Sequence, residues 1–293
     1  MQNKPVNESK MQELEDISWR LSRQIIEMTT KAGSGHPSSS LSAIDLMTVL
    51  FFGGVMRYDP QRPDWAERDR FILSKGHAAP ALYAVLAEAG YFGADLLGSL
   101  RQMGSPLEGH PNMRLLPGVE ASTGSLGQGL SLGLGHALAA KLDRKDFRVY
   151  VIIGDGESEE GQIWEATMAA TKYRVDNLTL ILDHNKFQQT GSVEQVMPSL
   201  TPPADKWRAF GWHVEEIDGH NLPEIREVFG LVQQIKDQPQ LIVAHTKKGK
   251  GLTTFEQDQV SRKHGKPLED DATVQTALAE LARLYNRVEG NGA

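Results

Sequence analysis

An α/β fold, with a mainly parallel sheet and helices on both faces, is what this 293-residue chain predicts. Three observations carry the expectation. Short apolar runs alternate with longer helical runs along the whole chain, which is the signature of parallel strands joined by helices. One apolar run, Val151-Ile152-Ile153, ends in the tight turn Gly154-Asp155-Gly156, and the next, Ile181-Leu182, leads to Asn185. As neighbouring parallel strands, both would end on the same sheet edge, where open α/β sheets bind ligands. Finally, hydrophobic content is 40% and there is neither an internal repeat nor a low-complexity linker. One domain over 1–293 is expected, with its core at about 11–270.

Taken in order, residues 1–10 are polar and expected to fray. Leu14, Ile17, Leu21, Ile25 and Ile26 have helical spacing, so a helix is expected over 11–30, ending at Lys31-Ala32-Gly33. A small-residue loop, 34–40, carries His36. Residues 41–53 read as a second helix, apolar nearly all round and therefore buried. A short strand at 71–74 runs into Lys75-Gly76-His77-Ala78, and a helix follows over 79–90. The stretch 103–125 has little regular pattern; a structureless segment of that length inside a domain points to function. Gly124-Ser125-Leu126-Gly127-Gln128-Gly129 opens a helix running to about Leu142. A strand–turn–helix–strand unit covers 147–184, and a loop covers 187–205. Strands at 212–217 and 240–245 flank a helix at 223–236. Lys247-Lys248-Gly249-Lys250-Gly251 reads as a flexible basic loop, 252–270 as polar, and 271–288 as a closing amphipathic helix.

Bulk properties exclude several classes. A formal charge of −7 gives nucleic acid no reason to bind. Without cysteine there is no disulfide framework and no thiolate chemistry. No apolar run approaches the roughly 20 residues of a membrane span, and the first eight residues hold no signal-like segment. A cytoplasmic protein is expected.

At the predicted sheet edge, Asp155 and Asn185 would offer two oxygens to one hard cation, leaving its other positions for water or phosphate. Gly154-Asp155-Gly156 alone is an ordinary turn; its pairing with Asn185 is what raises it to a site. The glycine run at 124–129 is neither a P-loop nor a dinucleotide fingerprint, and close helix packing explains it equally well. Four histidines, His36, His77, His110 and His264, sit beside glycine or in glycine-bearing loops that could face one edge. None forms an i, i+4 pair with another, which argues against zinc. Imidazoles there suit contacts to diphosphate oxygens, sugar hydroxyls and transferred protons. His213 and His220 read as structural. Glu159 can be explained as a charge at a helix N-terminus, Glu165 less well.

These pieces resemble the thiamine diphosphate motif, Gly154-Asp155-Gly156 with 28 residues (157–184) before Asn185, in a transketolase setting. Gly33–Pro37, Asp69–Ala78, Gly109-His110-Pro111, Pro117–Glu120, Gly124–Gly129 and Lys263-His264-Gly265 occur in that family's order over roughly 15–268. The resemblance implies the thiamine diphosphate-binding fold of the diphosphate (PP) type and a two-carbon ketol transfer from a ketose phosphate to an aldose phosphate. It implies that Asp155, Asn185 and the carbonyl of Phe187 hold Mg²⁺, with Ca²⁺ or Mn²⁺ as substitutes. Gly156, His77 and His264 would contact the diphosphate, and Gly124, Ser125 and Leu126 would lie along the cofactor. His36, His110 and His264 would act on the sugar, with His36 and His264 touching it most directly. Glu160 and Glu165 would link two cofactor sites across a dimer. The implied setting is carbohydrate metabolism of the pentose phosphate kind.

Two residues depart from the family pattern. Ser38 follows His-Pro where the family usually has Gly, on a loop expected to face substrate. His184 precedes the metal-binding Asn where an acid or Asn is common, and is expected to point off the ligand side. The chain is also roughly half the length of a full transketolase. That implies a separate C-terminal subunit, carrying the pyrimidine-binding and C-terminal domains and the catalytic glutamate, in a heterotetramer with two of each. Alternatives are a split transketolase specialised for a sulfo-sugar or a branched, apulose-type sugar phosphate, or a non-catalytic regulatory subunit.

Overall fold

The computed structural model describes residues 8–287. Five strands, β1 (Arg70–Leu73), β2 (Val149–Gly154), β3 (Leu178–His184), β4 (His213–Asp218) and β5 (Gln240–His245), form one sheet in the order β1-β2-β3-β5-β4. Every pairing is parallel. The chain steps outward from β1 to β3, crosses to the edge strand β4, and returns to β5. With right-handed crossovers, that reversal moves the intervening helix to the opposite face.

The period of two along each strand sorts the side chains into two cores. Phe71, Leu73, Tyr150, Ile152, Ile181, Ile217 and Ile242 face one way and pack on α1 (Glu8–Ala32), α2 (Pro37–Phe52), α3 (Ala79–Glu88), α8 (Leu222–Val232), α9 (Thr253–Glu256) and α10 (Asp271–Leu284). Ile72, Val149, Val151, Ile153, Leu178, Leu180, Leu182, Val214, Leu241 and Val243 face the other way, against α4 (Gln128–Leu142), α5 (Gly161–Lys172) and α7 (Pro203–Ala209). Both faces of β2 and β3 are thus buried, which is why those strands read as unbroken apolar runs.

Several boundaries differ from expectation. Helix α1 already includes residues 8–10; the rest of the terminus expected to fray lies outside the described residues, as does Val288 at the end of the last expected helix. Helix α2 starts at Pro37, not at 41. Proline lacks the N–H that would be unpaired in a first turn and has a helical φ built in, so it opens the helix directly behind His36. The expected loop 187–205 holds the short helix α6 (Val193–Val196), a 3₁₀ turn at Pro198–Leu200 and the start of α7. Ser192 caps α6 by accepting the Gln195 N–H. Among the described residues no helix is long and apolar enough to cross a membrane.

Every residue of α2 from Pro37 to Phe51 is buried, as its apolar character demanded. It is not uniformly apolar. Ser39, Ser42 and Asp45 recur every third position and so share one side of the helix. That side meets the carboxyl edge of the sheet.

Candidate functional site

Strand ends and loops enclose a cavity of about 390 Å³ at this edge. The volume lies within the range of ligand pockets. His36, His77, His110, His264, Gly124, Leu126, Asp155, Gly156, Asn185 and Phe187 all line it. Residues far apart in sequence are thereby brought together as expected. Ser125 and Glu160 are exposed and lie outside this lining, and Glu165 is exposed on α5.

Asp155 follows the last residue of β2 and is buried. Its Oδ2 accepts the Lys186 N–H at 2.6 Å, and its Oδ1 lies 2.5 Å from Nδ1 of His184. His184 therefore turns toward Asp155, although it does not itself line the cavity. Gly154 pairs with Asp183, so the next positions along, Asp155 and His184, stand side by side and their side chains meet. Asn185 donates from Nδ2 to Asp183 at 3.3 Å, which leaves Oδ1 on the other side of the amide, where it accepts the Phe187 N–H at 3.1 Å.

The donor set fits a hard cation. Asp155, Asn185 and the Phe187 carbonyl offer oxygens only, and each carboxylate oxygen keeps lone-pair capacity beyond the bonds described. Among the described residues no three His, Cys, Asp or Glu side chains could hold a metal by themselves. A cation here would complete its shell with oxygens of water or a phosphorylated ligand, the habit of Mg²⁺.

Beneath the site lies an ionic support that the sequence did not disclose. Lys75, just past β1, pairs with Asp183 at the end of β3, and both side chains are shut off from water. Lys75 also donates to the Ser39 carbonyl at 3.0 Å. Asp183 accepts from Ser42 at 2.6 Å and from Thr246. Burial alone would raise the Asp183 carboxyl, but Lys75 and the hydroxyl donors hold it below the usual range. Glu157 is a second buried acid: it accepts from the Ser74 hydroxyl, from the Gly127 N–H at 2.9 Å and from the Gly154 N–H at 3.2 Å. It thus ties the ends of β1 and β2 to the start of α4, while burial pushes its carboxyl up. A clue existed in both cases, because a charge inside or beside a two-sided buried strand requires a partner; its identity was not local.

Two glycines let backbone segments touch. A Cβ on Gly76 would stand 2.8 Å from the Gly124 nitrogen. Gly124 has φ +153, and a Cβ there would meet the His110 ring at 3.1 Å. Only hydrogen fits at Gly76, and the positive φ of Gly124 favours glycine, so the Thr123–Gly124 backbone lies directly on the His77 turn.

Three histidines form a mutual cluster. The ring of His36 is 5.1 Å from that of His77 and 4.9 Å from that of His264, and His77 and His264 are 5.1 Å apart. Burial, reinforced by nearby cations, brings His36 down to about 4 and His264 to about 3, with His77 also well below its ordinary value. All three are neutral at pH 7. His36 Nδ1 is buried without a hydrogen-bond partner. His264 Nδ1 is 3.4 Å from the Ser39 hydroxyl. His110, exposed at the rim, is lowered less, by burial and Arg101.

Lys248 was expected in a flexible basic loop. It is instead buried in the cavity wall, donating to the Gln188 carbonyl at 3.3 Å. Burial, then the charge of Lys75, lowers its ammonium to about 7. Ser38 also departs from expectation: its side chain is fully buried and does not line the cavity, whereas that of Ser39 does. His220 is structural as expected, held between Asp45 at 2.8 Å and the Lys247 N–H at 2.8 Å. His213 pairs with Glu215 at 2.7 Å.

Fold and cavity together define a doubly wound α/β protein with an oxygen-rich, partly cationic pocket at its carboxyl edge, the class of site that takes phosphorylated ligands. The family described as "Transketolase, thiamine diphosphate binding domain" matches residues 20–281, and the chain belongs to it. The 6-deoxy-6-sulfo-D-fructose transketolase subunit of Clostridium sp. is 45% identical over 88% of this chain and 92% of its own length. One of the subunits of the apulose-4-phosphate transketolase of Phocaeicola vulgatus is 39% identical over 96% of this chain and 98% of its own length. Human transketolase is 43% identical over 97% of this chain but only 44% of the human protein. The solved transketolase of Leishmania mexicana superimposes with a TM-score of 0.84 at 32% identity, over 94% of this chain and 41% of that one. The chain therefore spans less than half of the single-chain transketolases it matches and nearly all of the two subunits. It is the thiamine diphosphate-binding, N-terminal part of a transketolase.

Proposed function

We propose that this chain is the diphosphate-binding subunit of a Mg²⁺-dependent ketol transferase whose sites are completed by a separate C-terminal subunit. The observation that carries the reading is the convergence of Asp155, Asn185, three packed neutral histidines and buried Lys248 on one cavity. Asp155, Asn185 and the Phe187 carbonyl hold Mg²⁺. Lys248, His77, His264 and the backbone around Gly156 hold the diphosphate oxygens, and Gly124 to Leu126 lie along the cofactor. Thiamine diphosphate, when bound, supplies the carbon nucleophile that cleaves the ketose beside its carbonyl and passes two carbons to an aldose. His36 and His264, being neutral, donate to and accept from the sugar hydroxyls without adding charge, and His110 stands at the mouth to hold the incoming end. A proton leaving a sugar hydroxyl passes to an imidazole nitrogen of this cluster.

Support for a second subunit comes from the relatives named as subunits, whose lengths this chain matches. It also comes from an apolar face on α4 and α5: Leu132, Leu142 and Met168 are 43%, 84% and 52% exposed. We read the assembly as a heterotetramer of two copies of each subunit, with Glu160 and Glu165 between its cofactor sites, acting in the cytoplasm. A second reading concerns the substrate. The subunits whose length this chain matches are named for a sulfo-sugar and an apulose phosphate, which supports a specialised ketose as the alternative donor.

The test is Asp155→Ala assembled with the partner subunit. Ketol transfer should fall by a hundredfold or more and thiamine diphosphate binding in Mg²⁺ should be lost. Wild-type rates would remove the metal assignment. Comparing sulfo-, branched and ordinary ketose phosphates as donors decides between the two substrate readings.

A further inference from the structure

A second buried ionic cluster lies behind the cofactor cavity, and no step above uses it. Asp45 of α2 is fully buried. It accepts from Lys250 Nζ, and it lies 2.8 Å from Nδ1 of His220. The Tyr285 hydroxyl stands 3.4 Å from Asp45 and 3.3 Å from Lys250 Nζ. Four elements meet there: α2, the turn between β4 and α8, the segment after β5, and the end of α10. Burial alone would raise the Asp45 carboxyl, but Lys250 and His220 hold it well below the usual carboxylate range. Because His220 Nε2 accepts the Lys247 N–H, its Nδ1 carries the proton toward Asp45.

The segment after β5 is a short strap with two lysines aimed in different directions. Lys248 enters the cofactor cavity, and Lys250 runs back to Asp45. Between them Gly249 has φ +76, and a Cβ there would meet Phe255 at 2.3 Å, so the reversal needs glycine. The strap is fixed at successive points: Lys247 N–H to His220, Gly249 N–H to the Ser38 carbonyl at 2.9 Å, and Lys250 to Asp45. Two of these anchors lie on α2, the helix whose N-cap His36 and first-turn Ser39 line the cavity. Asp45 and Ser39 share the same side of α2, two steps of three residues apart. The third residue of the series, Ser42, binds Asp183 beneath the metal ligands. One side of one helix thus sets both the floor of the cavity and the strap in its wall.

We propose that Asp45 is a positioning residue: through Lys250 it fixes the strap so that the Lys248 ammonium meets the cofactor's diphosphate. The proposal rests on the function proposed above. It predicts that a residue touching neither cofactor nor substrate controls cofactor affinity more than it controls the rate at saturation.

The test uses this chain assembled with its partner subunit, in Mg²⁺. Asp45→Asn and Lys250→Met should each weaken thiamine diphosphate binding about tenfold by calorimetry, with kcat at saturating cofactor reduced by less than threefold. The double variant should be no weaker than the worse single one, and Lys250→Arg should keep most of the affinity. Hydrogen exchange should speed at the Gly249 and Lys247 amides in both single variants. Val175→Ala, in the opposite core at the amino edge of the sheet, should lower thermal stability without changing affinity; a shared loss there would make Asp45 a stability residue only. If Asp45→Asn does not fold, Lys250→Met and Tyr285→Phe carry the same comparison. Unchanged affinity, or unchanged Gly249 exchange, in Lys250→Met overturns the proposal. Failure of the unmodified assembly to bind thiamine diphosphate sinks the proposed function instead, and the exchange measurement still decides whether Asp45 fixes the strap.

Discussion

Lys75 and Asp183 form an ion pair whose side chains are 1% and 0% exposed, directly beneath the residues proposed to hold the metal. The pair joins the ends of β1 and β3 across β2, and Asp183 also orients the Asn185 amide. Breaking such a pair from one side costs more than removing both charges, because a lone charge stays buried. Lys75→Met should therefore destabilise the chain by about 3–5 kcal/mol in denaturant unfolding. Lys75→Met/Asp183→Leu should recover part of that loss while still impairing cofactor binding. Equal stability of single and double variants would show that Asp183 finds enough neutral donors on its own.

The neutral histidine cluster makes acid sensitivity specific. His36 titrates near 6.5 when unfolded and about 4 when folded, so the unfolded chain binds more protons between those values. The stability that the neutral ring confers is present above about pH 6.5 and is lost as pH falls toward 4. His264 extends the window to about 3. Thermal melts of His36→Asn against the unmodified chain should show a shallower decline over this window. Parallel curves would place the acid-sensitive groups elsewhere.

Lys248 is, like His36, a base that burial pushes downward. With its folded value at about 7 and its ordinary value at 10.5, the unfolded chain binds more protons between them, so stability rises with pH across that interval. An anion placed beside Lys248 favours the charged form. Binding of thiamine diphosphate at pH 8 should therefore take up protons, approaching one per site, and at pH 6 almost none. Calorimetry in buffers of different ionisation enthalpy measures this, and Lys248→Met should abolish most of the uptake.

His184 and Asp155 stand at 2.5 Å, so the imidazole restrains the carboxylate proposed as metal ligand. Loss of such a partner typically costs 10–100-fold in metal affinity. His184→Ala should raise the Mg²⁺ concentration needed for half-maximal thiamine diphosphate binding by about tenfold or more. An unchanged requirement would mean that the Lys186 N–H alone suffices.

The strands were readable because β2 and β3 are buried on both faces and carry few polar residues to obscure them. The four loop histidines were readable by composition, since glycine beside histidine stands out against ordinary turns. Other features depended on partners distant in sequence. Lys248 looked like part of a flexible basic loop because nothing near it in sequence shows that α2 and the 186–190 segment close over it. Asp45 was hidden inside an apolar helix for the same reason: its partners, Lys250, His220 and Tyr285, lie at least 175 residues away. The start of α2 could have been read correctly, because Pro37 is a good first helical residue. The orientation of His184 followed from pairing register, which fixes Asp155 beside it but requires knowing which strands are neighbours.

The sheet sorts its side chains into two cores, one on each face, and this has a consequence for how such a chain can change. The sheet acts as a partition, and substitutions on one side are screened from the other by backbone. The α4–α5–α7 side can be reshaped to suit a new neighbour without repacking the α1–α2–α3 side that carries the first histidine. The loops at the carboxyl edge register events on both sides. Coupled substitutions should therefore concentrate along that rim, while each flank drifts on its own clock.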